Sequence, residues 1–208
     1  MKLERYLQGK FEDISLFEDS FIEKELALHL QLEKNLYQLK KDSDEINFDY
    51  FNNVYQKSIA LFEDIFREDD QIYLVTHIRS ELNSSPKRAT EIFQRYLKNK
   101  NDKYKLEHTK KLISNEEEII QYAVLLPSKS ALNYKVLIKA VCNQDFKELQ
   151  PRFRNKYTYY PEIFFVNKDR NIILNIFDDR GCFVLFNDKD ELSFFRDKYK
   201  DDIFEDTN

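Results

Sequence analysis

The sequence predicts an α+β protein whose mainly antiparallel or mixed sheet of about six strands is covered by helices. Three observations lead to this fold class. Segments with the two-residue period of strands interleave with segments of helical period, the last third contains three short strands at hairpin spacing, and an amphipathic helix closes the chain. The 208 residues fit a single domain, residues 1–208, and 42% hydrophobic residues suffice for a core without a disulfide or metal.

The first elements alternate in period. Leucines at every second position of residues 26–32 predict a strand with His29 on its outer face. Residues 47–67 place aromatic and aliphatic side chains three and four apart, which predicts an amphipathic helix. Residues 71–79 are β-branched and aromatic on both faces, as an interior strand requires.

The middle of the chain repeats this order. Ser84 and Pro86 predict a helix start that continues to about residue 98, followed by a polar exposed loop or frayed helical excursion over residues 99–115. Residues 119–126 predict a second interior strand, and residues 132–146 a second helical stripe. Residues 26–146 therefore contain β-α units.

The last third has shorter elements. Residues 162–166, 172–177 and 182–186 predict three strands joined by two connections of hairpin length. Residues 191–204 predict an amphipathic helix. Residues 160–204 are thus expected to form an antiparallel meander with a closing helix.

Two segments of this last third resemble the signature of the bacterial domain of unknown function 3885 family. They are YPEIFFV at 160–166 and FDDRGC at 177–182, and the likeness extends upstream to about residue 27 through LFEDIF at 61–66, DQIYLV at 70–75 and CNQDF at 142–146. The resemblance implies a small cytoplasmic protein of Gram-positive bacteria. It also implies association with polymorphic toxins and their immunity proteins, and it supplies no catalytic residue because the family has no established activity.

The sequence lacks the motifs that several kinds of nucleotide-binding, catalytic and metal sites require. Gly9 and Gly181 are the only glycines, which excludes the P-loop, the dinucleotide fingerprint and the nucleophile elbow. The histidines lack metal-ligand spacing, and the isolated Cys142 and Cys182 suit reduced, core-packed thiols. We therefore expect no cofactor and no metal, and the sequence favours a protein that is not an enzyme. No apolar stretch approaches the length of a membrane span, which predicts a cytoplasmic protein without membrane contact.

The run Asp178-Asp179-Arg180-Gly181 allows two interpretations. The paired carboxylates and the guanidinium could bind a cation, orient a water or hold a partner's anion. The favoured interpretation is a hairpin turn, in which an aspartate caps its own backbone and Gly181 supplies a positive φ.

Charge is unevenly distributed around a net charge of −5. Residues 86–111 carry nine Lys or Arg against three acidic residues, which we interpret as a solvated surface because the acidic total opposes nucleic-acid binding. Residues 11–25 mix acidic and apolar side chains and predict a partner-binding segment. Its candidate contact residues are Glu12, Asp13, Phe17, Glu18, Asp19 and Phe21. The alternative for this segment is an N-terminal amphipathic helix packed on the domain.

Two functions follow. The leading hypothesis is a non-catalytic cytoplasmic binding protein of immunity type, which neutralises a basic toxin domain through its acidic, aromatic segment. The alternative is an enzyme or nucleic-acid-associated factor with a site around Asp178, Asp179 and Arg180.

Overall fold

The computed structural model describes residues 2–11, 14–17, 24–82, 90–153 and 160–204. Within them the strands are β1 (Ala27–Gln31), β2 (Ile72–Glu81), β3 (Glu107–Leu112), β4 (Glu117–Leu126), β5 (Glu162–Asn167), β6 (Ile172–Ile176) and β7 (Gly181–Phe186). The α-helices are α1 (Leu3–Lys10), α2 (Phe48–Ile65), α3 (Glu91–Tyr96), α4 (Tyr134–Cys142) and α5 (Lys189–Lys198). Short 3-10 segments occupy Lys100–Lys105, Lys129–Ala131 and Lys200–Asp202.

All of the described strands join one sheet in the order β1-β7-β6-β5-β2-β4-β3, and every neighbouring pair is antiparallel. The predicted α+β class, the antiparallel meander β5-β6-β7 and the closing helix are confirmed. Strand β2 lies inside the sheet, because it pairs with β4 along its whole length and with β5 on its other side.

The sheet buries both of its faces. Side chains alternate along β2, so that Ile72 and Leu74 contact the larger core beneath α2, α3, α4 and α5. Tyr73 and Val75 point the other way, into a smaller core with Leu3, Tyr6 and Leu7 of α1. We call these the helical face and the N-terminal face. This double coverage explains why residues 71–79 are apolar on both sides.

Helix α2 is held at its carboxyl end by side chains from distant parts of the chain. Lys129 Nζ donates to the Phe66 carbonyl at 2.9 Å, and Asn167 Nδ2 donates to the Ile65 carbonyl at 2.8 Å. Arg170 Nη1 donates to the carbonyls of Asp64 and Ile65 at 2.8 and 2.9 Å. The last turn of α2 has no basic residue of its own, so these groups satisfy its carbonyls instead.

The N-terminal helix lies earlier than the alternative interpretation placed it. Helix α1 ends at Lys10, and the N–H of the following Phe11 donates to the Leu7 carbonyl at 2.8 Å. Residues 14–17 and 24–26 are not helical. Leu3, Tyr6 and Leu7 share one buried side of α1 because they are three and four residues apart. The Tyr6 hydroxyl fixes that side to the sheet by donating to Asn171 Oδ1 at 3.0 Å.

Residues 99–115 were predicted to form an exposed loop or a frayed helical excursion. The 3-10 segment Lys100–Lys105 agrees with the second alternative, but the edge strand β3 was not predicted. Strand β3 pairs only with β4 among the described strands, and most of its side chains are exposed. Its pairing therefore depends on backbone hydrogen bonds and leaves no apolar alternation in the sequence. Of the helix predicted from Ser84 to about residue 98, α3 covers Glu91–Tyr96, and residues 83–89 lie outside the described part.

The closing helix is shorter than predicted. After α5 and a 3-10 turn, Ile203 bridges Leu30 of β1, and the Phe204 N–H donates to the His29 carbonyl at 2.9 Å. This segment covers the edge of β1. His29 lies on the face of β1 opposite the buried Leu28 and Leu30, as predicted, and its half-buried ring is stacked between Phe183 and Phe204, with centroids 4.3 and 4.6 Å away.

None of the helices in the described ranges combines the length and the apolar character that crossing a bilayer requires.

Candidate functional site

The connection between β6 and β7 is an aspartate-capped turn, as the favoured interpretation predicted. Asp178 Oδ1 accepts the Arg180 backbone N–H at 2.7 Å, and Asp178 Oδ2 accepts Arg180 Nε at 2.8 Å together with Nη2. One carboxylate thus fixes both the backbone of the turn and the direction of the guanidinium. The adjacent carboxylate raises the pKa of Arg180, whose side chain keeps 70% of its surface exposed.

Asp179 points into the protein. Its Oδ2 accepts hydrogen bonds from the Tyr50 hydroxyl at 2.8 Å and from Gln38 Nε2 at 3.2 Å. Burial, and then the charge of Asp178, raise the pKa of Asp179 despite these two donors. The pKa of the Tyr50 hydroxyl is raised as well, by burial and by the neighbouring Asp179.

Gly181 does not have the positive φ that the turn interpretation assigned to it. The requirement for glycine is steric instead. A Cβ at this position would lie 2.7 Å from the Leu30 carbonyl oxygen and 2.8 Å from the Phe177 ring. The β1 backbone and the Phe177 ring therefore both pack directly against the Gly181 Cα, and a residue without a Cβ fits this position best.

A third carboxylate lies beside the two aspartates of the turn. Ligand oxygens of Asp145, Asp178 and Asp179 all lie within 4.8 Å of one another, and we call these residues the acidic cluster. Asp145 follows α4, and the neighbouring Gln144 fixes this connection to the turn by donating from Nε2 to the Phe177 carbonyl at 2.9 Å. Burial and the Asp178 charge raise the pKa of Asp145. The sequence interpretation found no third ligand, because only tertiary packing brings Asp145 to the turn.

The acidic cluster has the oxygen donors that hard cations prefer, and it could also share a proton. Its two buried members already accept hydrogen bonds from the chain itself. Asp178 is 4% exposed and is paired with Arg180, while Asp179 is 3% exposed and is bonded to Tyr50 and Gln38. These donors give the cluster a structural role: it ties the β6-β7 turn to α2 and to the segment after β1.

A groove opens next to the turn. It has a volume of about 450 Å³, and both Arg180 of the turn and Tyr50 of α2 lie in its wall. The other lining residues are His29, Gln31, Glu33, Lys34, Leu36, Tyr37, Gln38, Phe177 and Phe204. We call this feature the aromatic groove, because five of its lining residues are Phe, Tyr or His. No pattern in the sequence indicated it, since its residues come from four separate segments.

The predicted partner-binding segment is described only in part. Glu12, Asp13, Glu18, Asp19 and Phe21 lie outside the described residues. Phe17 is half-buried, and its ring stacks on His77 with centroids 4.9 Å apart. Lys111 Nζ lies 5.8 Å from the centroid of the same ring. Phe17 therefore packs on the N-terminal face, and the partner-binding role of this segment stays a prediction.

His77 was not singled out by the sequence. It is 2% exposed, its Nε2 is bonded to Gln121 Oε1 at 2.9 Å, and its Nδ1 lies 3.6 Å from Glu162 Oε2. Within the described ranges, His77 Nδ1 makes no hydrogen bond. Neither its place on an interior strand nor its neighbours in sequence gave a signal for this arrangement.

Lysines of the basic segment contact neighbouring groups. Lys100 Nζ donates to the carbonyls of Gln94 and Leu97 at 2.8 and 2.6 Å, and Lys110 pairs with Glu118 at 2.7 Å. The interpretation of this segment as a solvated surface, with no nucleic-acid partner, stays a prediction.

Both thiols are buried and unpaired as predicted, and burial raises the pKa of Cys142 and of Cys182.

The comparisons with known proteins confirm the family. The chain belongs to the family described as "Domain of unknown function (DUF3885)", which matches residues 3–207. The match begins at residue 3, earlier than the likeness from about residue 27 onward. The chain is also similar to "Uncharacterized protein YnaE" of Bacillus subtilis (strain 168), with 31% identity over 211 residues that cover 97% of this chain and 96% of the relative. No solved structure matches it.

Proposed function

We propose that this chain is a non-catalytic cytoplasmic protein that binds a protein partner, in the manner of an immunity protein that neutralises a toxin domain. One observation carries the non-catalytic part of this proposal. The paired carboxylates of the sequence signature, Asp178 and Asp179, are buried and bonded to Arg180, Tyr50 and Gln38 of the same chain. A general acid or base must reach a substrate atom directly or through one water, and carboxylates held in this way serve the fold instead.

The partner-binding part of the proposal rests on charge and exposed rings. A net charge of −5 favours encounter with a basic surface, and the mixture of acidic and aromatic residues around Phe17 is suited to hold one. Phe17 remains half-exposed on the N-terminal face, where it can be covered by a partner. Aromatic residues, phenylalanine included, are enriched at protein–protein interfaces relative to the rest of the surface.

The immunity-type role adds a specific partner class. A toxin domain that acts on nucleic acid or nucleotides presents a basic surface to its anionic substrate, and an acidic protein can occupy that surface. Binding alone would then neutralise the toxin, with no reaction performed by this chain.

The test uses the full-length chain and the products of the genes that flank its own, among which the proposal expects a toxin domain. We expect the two to co-purify, and we expect co-expression to restore growth of cells that produce the toxin. The double variant Glu18→Lys with Asp19→Lys should slow association by about tenfold at low salt and by less at high salt, because screening weakens the charge contribution.

A matched double variant separates position from total charge. Glu116→Lys with Asp197→Lys changes the net charge by the same amount at two exposed acidic residues, and we expect its association rate to stay near that of the wild type. Equal rates for wild type and both double variants would contradict a partner-binding role for the acidic segment. Failure of the chain to bind or protect against any neighbouring toxin would contradict the immunity-type role.

The alternative function, an enzyme or nucleic-acid-associated factor, has one observation in its favour. Asp145 is the exposed member of the acidic cluster, and burial of part of its carboxyl together with the Asp178 charge raises its pKa. The variant Asp145→Asn distinguishes the two functions. It should leave partner affinity and growth protection unchanged if the chain only binds, whereas loss of protection with unchanged affinity would favour the alternative.

A further inference from the structure

We propose that the aromatic groove is a binding site for a small anionic ligand that carries a planar ring. The groove is distinct from the acidic segment of the proposed function, and its role does not require a protein partner. Its volume of about 450 Å³ lies within the range of roughly 300–1,000 Å³ that is usual for small-molecule sites.

Three packed rings lie in the wall of the groove, those of His29, Phe177 and Phe204. His29 stacks between Phe204 and Phe183, and the Phe177 ring lies 5.8 Å from His29 and 5.3 Å from Phe183. Tyr37 stands at the rim with 81% of its surface exposed. A planar ligand can therefore contact packed rings inside the groove and an exposed ring at its edge.

Two cations lie in the same wall. Asp178 holds Arg180 by Nε and Nη2, so the Nη1 side of the guanidinium faces away from that pair. Lys34 is the second cation, and its Nζ donates to the Asp201 carbonyl. A carboxylate or phosphate in the groove would receive charge-assisted hydrogen bonds from these side chains.

The groove's lining holds one acidic residue, Glu33, against the two cations Lys34 and Arg180, so one positive charge remains in excess. Glu33 Oε1 accepts the backbone N–H groups of Lys34, Asn35 and Leu36 at 2.9, 2.7 and 3.2 Å, and Oε2 accepts Asn53 Nδ2 at 2.8 Å. Partial burial alone would raise its pKa, but these hydrogen bonds lower the pKa overall. The Glu33 carboxylate is thus ionised and engaged by its own loop and by α2, while the exposed side chains of Lys34 and Arg180 keep further N–H donors for an anion.

The signature aspartates explain how the groove is kept in shape. Asp178 directs Arg180, and Asp179 bonds to Tyr50 and Gln38, so three residues of the groove wall are positioned by two buried carboxylates. On this view Asp178 and Asp179 are positioning residues. Preorganised walls of this kind reduce the cost of ordering on binding.

The experiment measures binding of four probes to the full-length chain by saturation-transfer NMR and calorimetry. Adenosine 5′-monophosphate and 4-hydroxybenzoate combine a ring with an anion, while adenosine carries only the ring and inorganic phosphate only the charge. We expect at least one ring-bearing anion to bind about tenfold more tightly than adenosine or phosphate, because only such a ligand uses both the rings and the cations. The two ring-bearing probes separate a nucleotide from an aromatic acid as the source of the ligand, and binding of either supports the proposal.

Exposed residues provide variants that should fold. Tyr37→Ser removes the ring at the rim, and Lys34→Gln removes a cation, and each should weaken the bound probe by about fivefold or more. The controls are Tyr104→Ser, which removes a tyrosine that is 78% exposed elsewhere, and Lys40→Gln, which removes an exposed lysine outside the groove. Both controls should bind as the wild type does.

Two results would overturn the proposal. One is that neither ring-bearing anion binds at millimolar concentration. The other is that binding is equally strong for phosphate alone or is unchanged in both groove variants, since the rings and the cations would then have no part in it.

Discussion

Replacing Gly181 with alanine tests why the turn between β6 and β7 contains a glycine. If the glycine were needed for a positive φ, alanine would be penalised by backbone strain. The structure gives another cause, because an added Cβ would lie 2.7 Å from the Leu30 carbonyl oxygen and 2.8 Å from Phe177 Cζ. Leu30 is paired opposite Cys182 in the β1-β7 ladder, so its carbonyl cannot move without disturbing the sheet.

The expected magnitude follows from these two contacts. Forcing a methyl group into a packed site costs about 1–3 kcal/mol, and the reduced freedom of the unfolded chain returns about 0.4–1 kcal/mol. The free energy of unfolding should therefore fall by about 1–2 kcal/mol, which for a chain of this size lowers Tm by about 2–8 °C.

Urea denaturation followed by circular dichroism measures this change, and Gly9→Ala is the control. Gly9 lies in α1 with no heavy atom within 4 Å of its would-be Cβ, so alanine there should raise stability by about 0.5–1 kcal/mol. The double variant Gly181→Ala with Phe177→Ala should lose less than the sum of its single variants, because the shorter side chain removes one contact. A neutral or stabilising Gly181→Ala, or strictly additive effects, would refute the steric explanation.

Two further predictions concern buried charges. The pKa of Asp179 lies above the ordinary value of 3.8, so its ionisation in the folded protein has a cost that develops as pH rises through this value and is complete above the folded pKa. Asp179→Asn removes that cost, so in parallel urea titrations its stability relative to wild type should be greater at about pH 7 than at about pH 3. The same stability difference between variant and wild type at both pH values would contradict the raised pKa. Arg170→Met removes the Arg170 donor from the Asp64 carbonyl and from the Glu191 carboxylate, and it leaves the Ile65 carbonyl with Asn167 alone. It should lower the free energy of unfolding by about 2–4 kcal/mol. The exposed Lys189→Met should change that free energy by less than about 0.5 kcal/mol, and an equally small effect of Arg170→Met would show that the last turn of α2 does not need its cap.

The meander was predictable because its signals are local. Nearly all residues of β5, β6 and β7 are buried, and polar connections of hairpin length separate the strands. Strand β3 was not predictable in the same way, because EHTKKL is a polar edge segment whose pairing with β4 depends on backbone atoms. The position of α1 depends on a three-and-four spacing of only a few buried residues, which is a weak signal in an isolated stretch of eight residues.

In the candidate site, too, local features were predictable from the sequence and features that depend on tertiary packing were not. The bond from Asp178 to the Arg180 backbone spans two residues and follows from the turn sequence alone. The approach of Asp145, and the bond from Tyr50 to Asp179, depend on how α4 and α2 dock against the turn. Gly181 shows the limit most clearly, since a glycine in a sequence does not reveal whether a dihedral angle or a neighbouring strand requires it.

The place of β2 inside the sheet has a consequence for synthesis on the ribosome. Residues Ile72 to Ile78 are buried without interruption, yet the partner strand β5 is translated only after β3, β4 and α4 have been made. In the nascent chain, one edge of β2 therefore lacks its partner strand until residues 162–167 leave the exit tunnel. During that time the strand is prone to aggregate. Translation speed and holdase chaperones should accordingly determine the yield of soluble product more strongly than they do for a protein built from neighbouring hairpins.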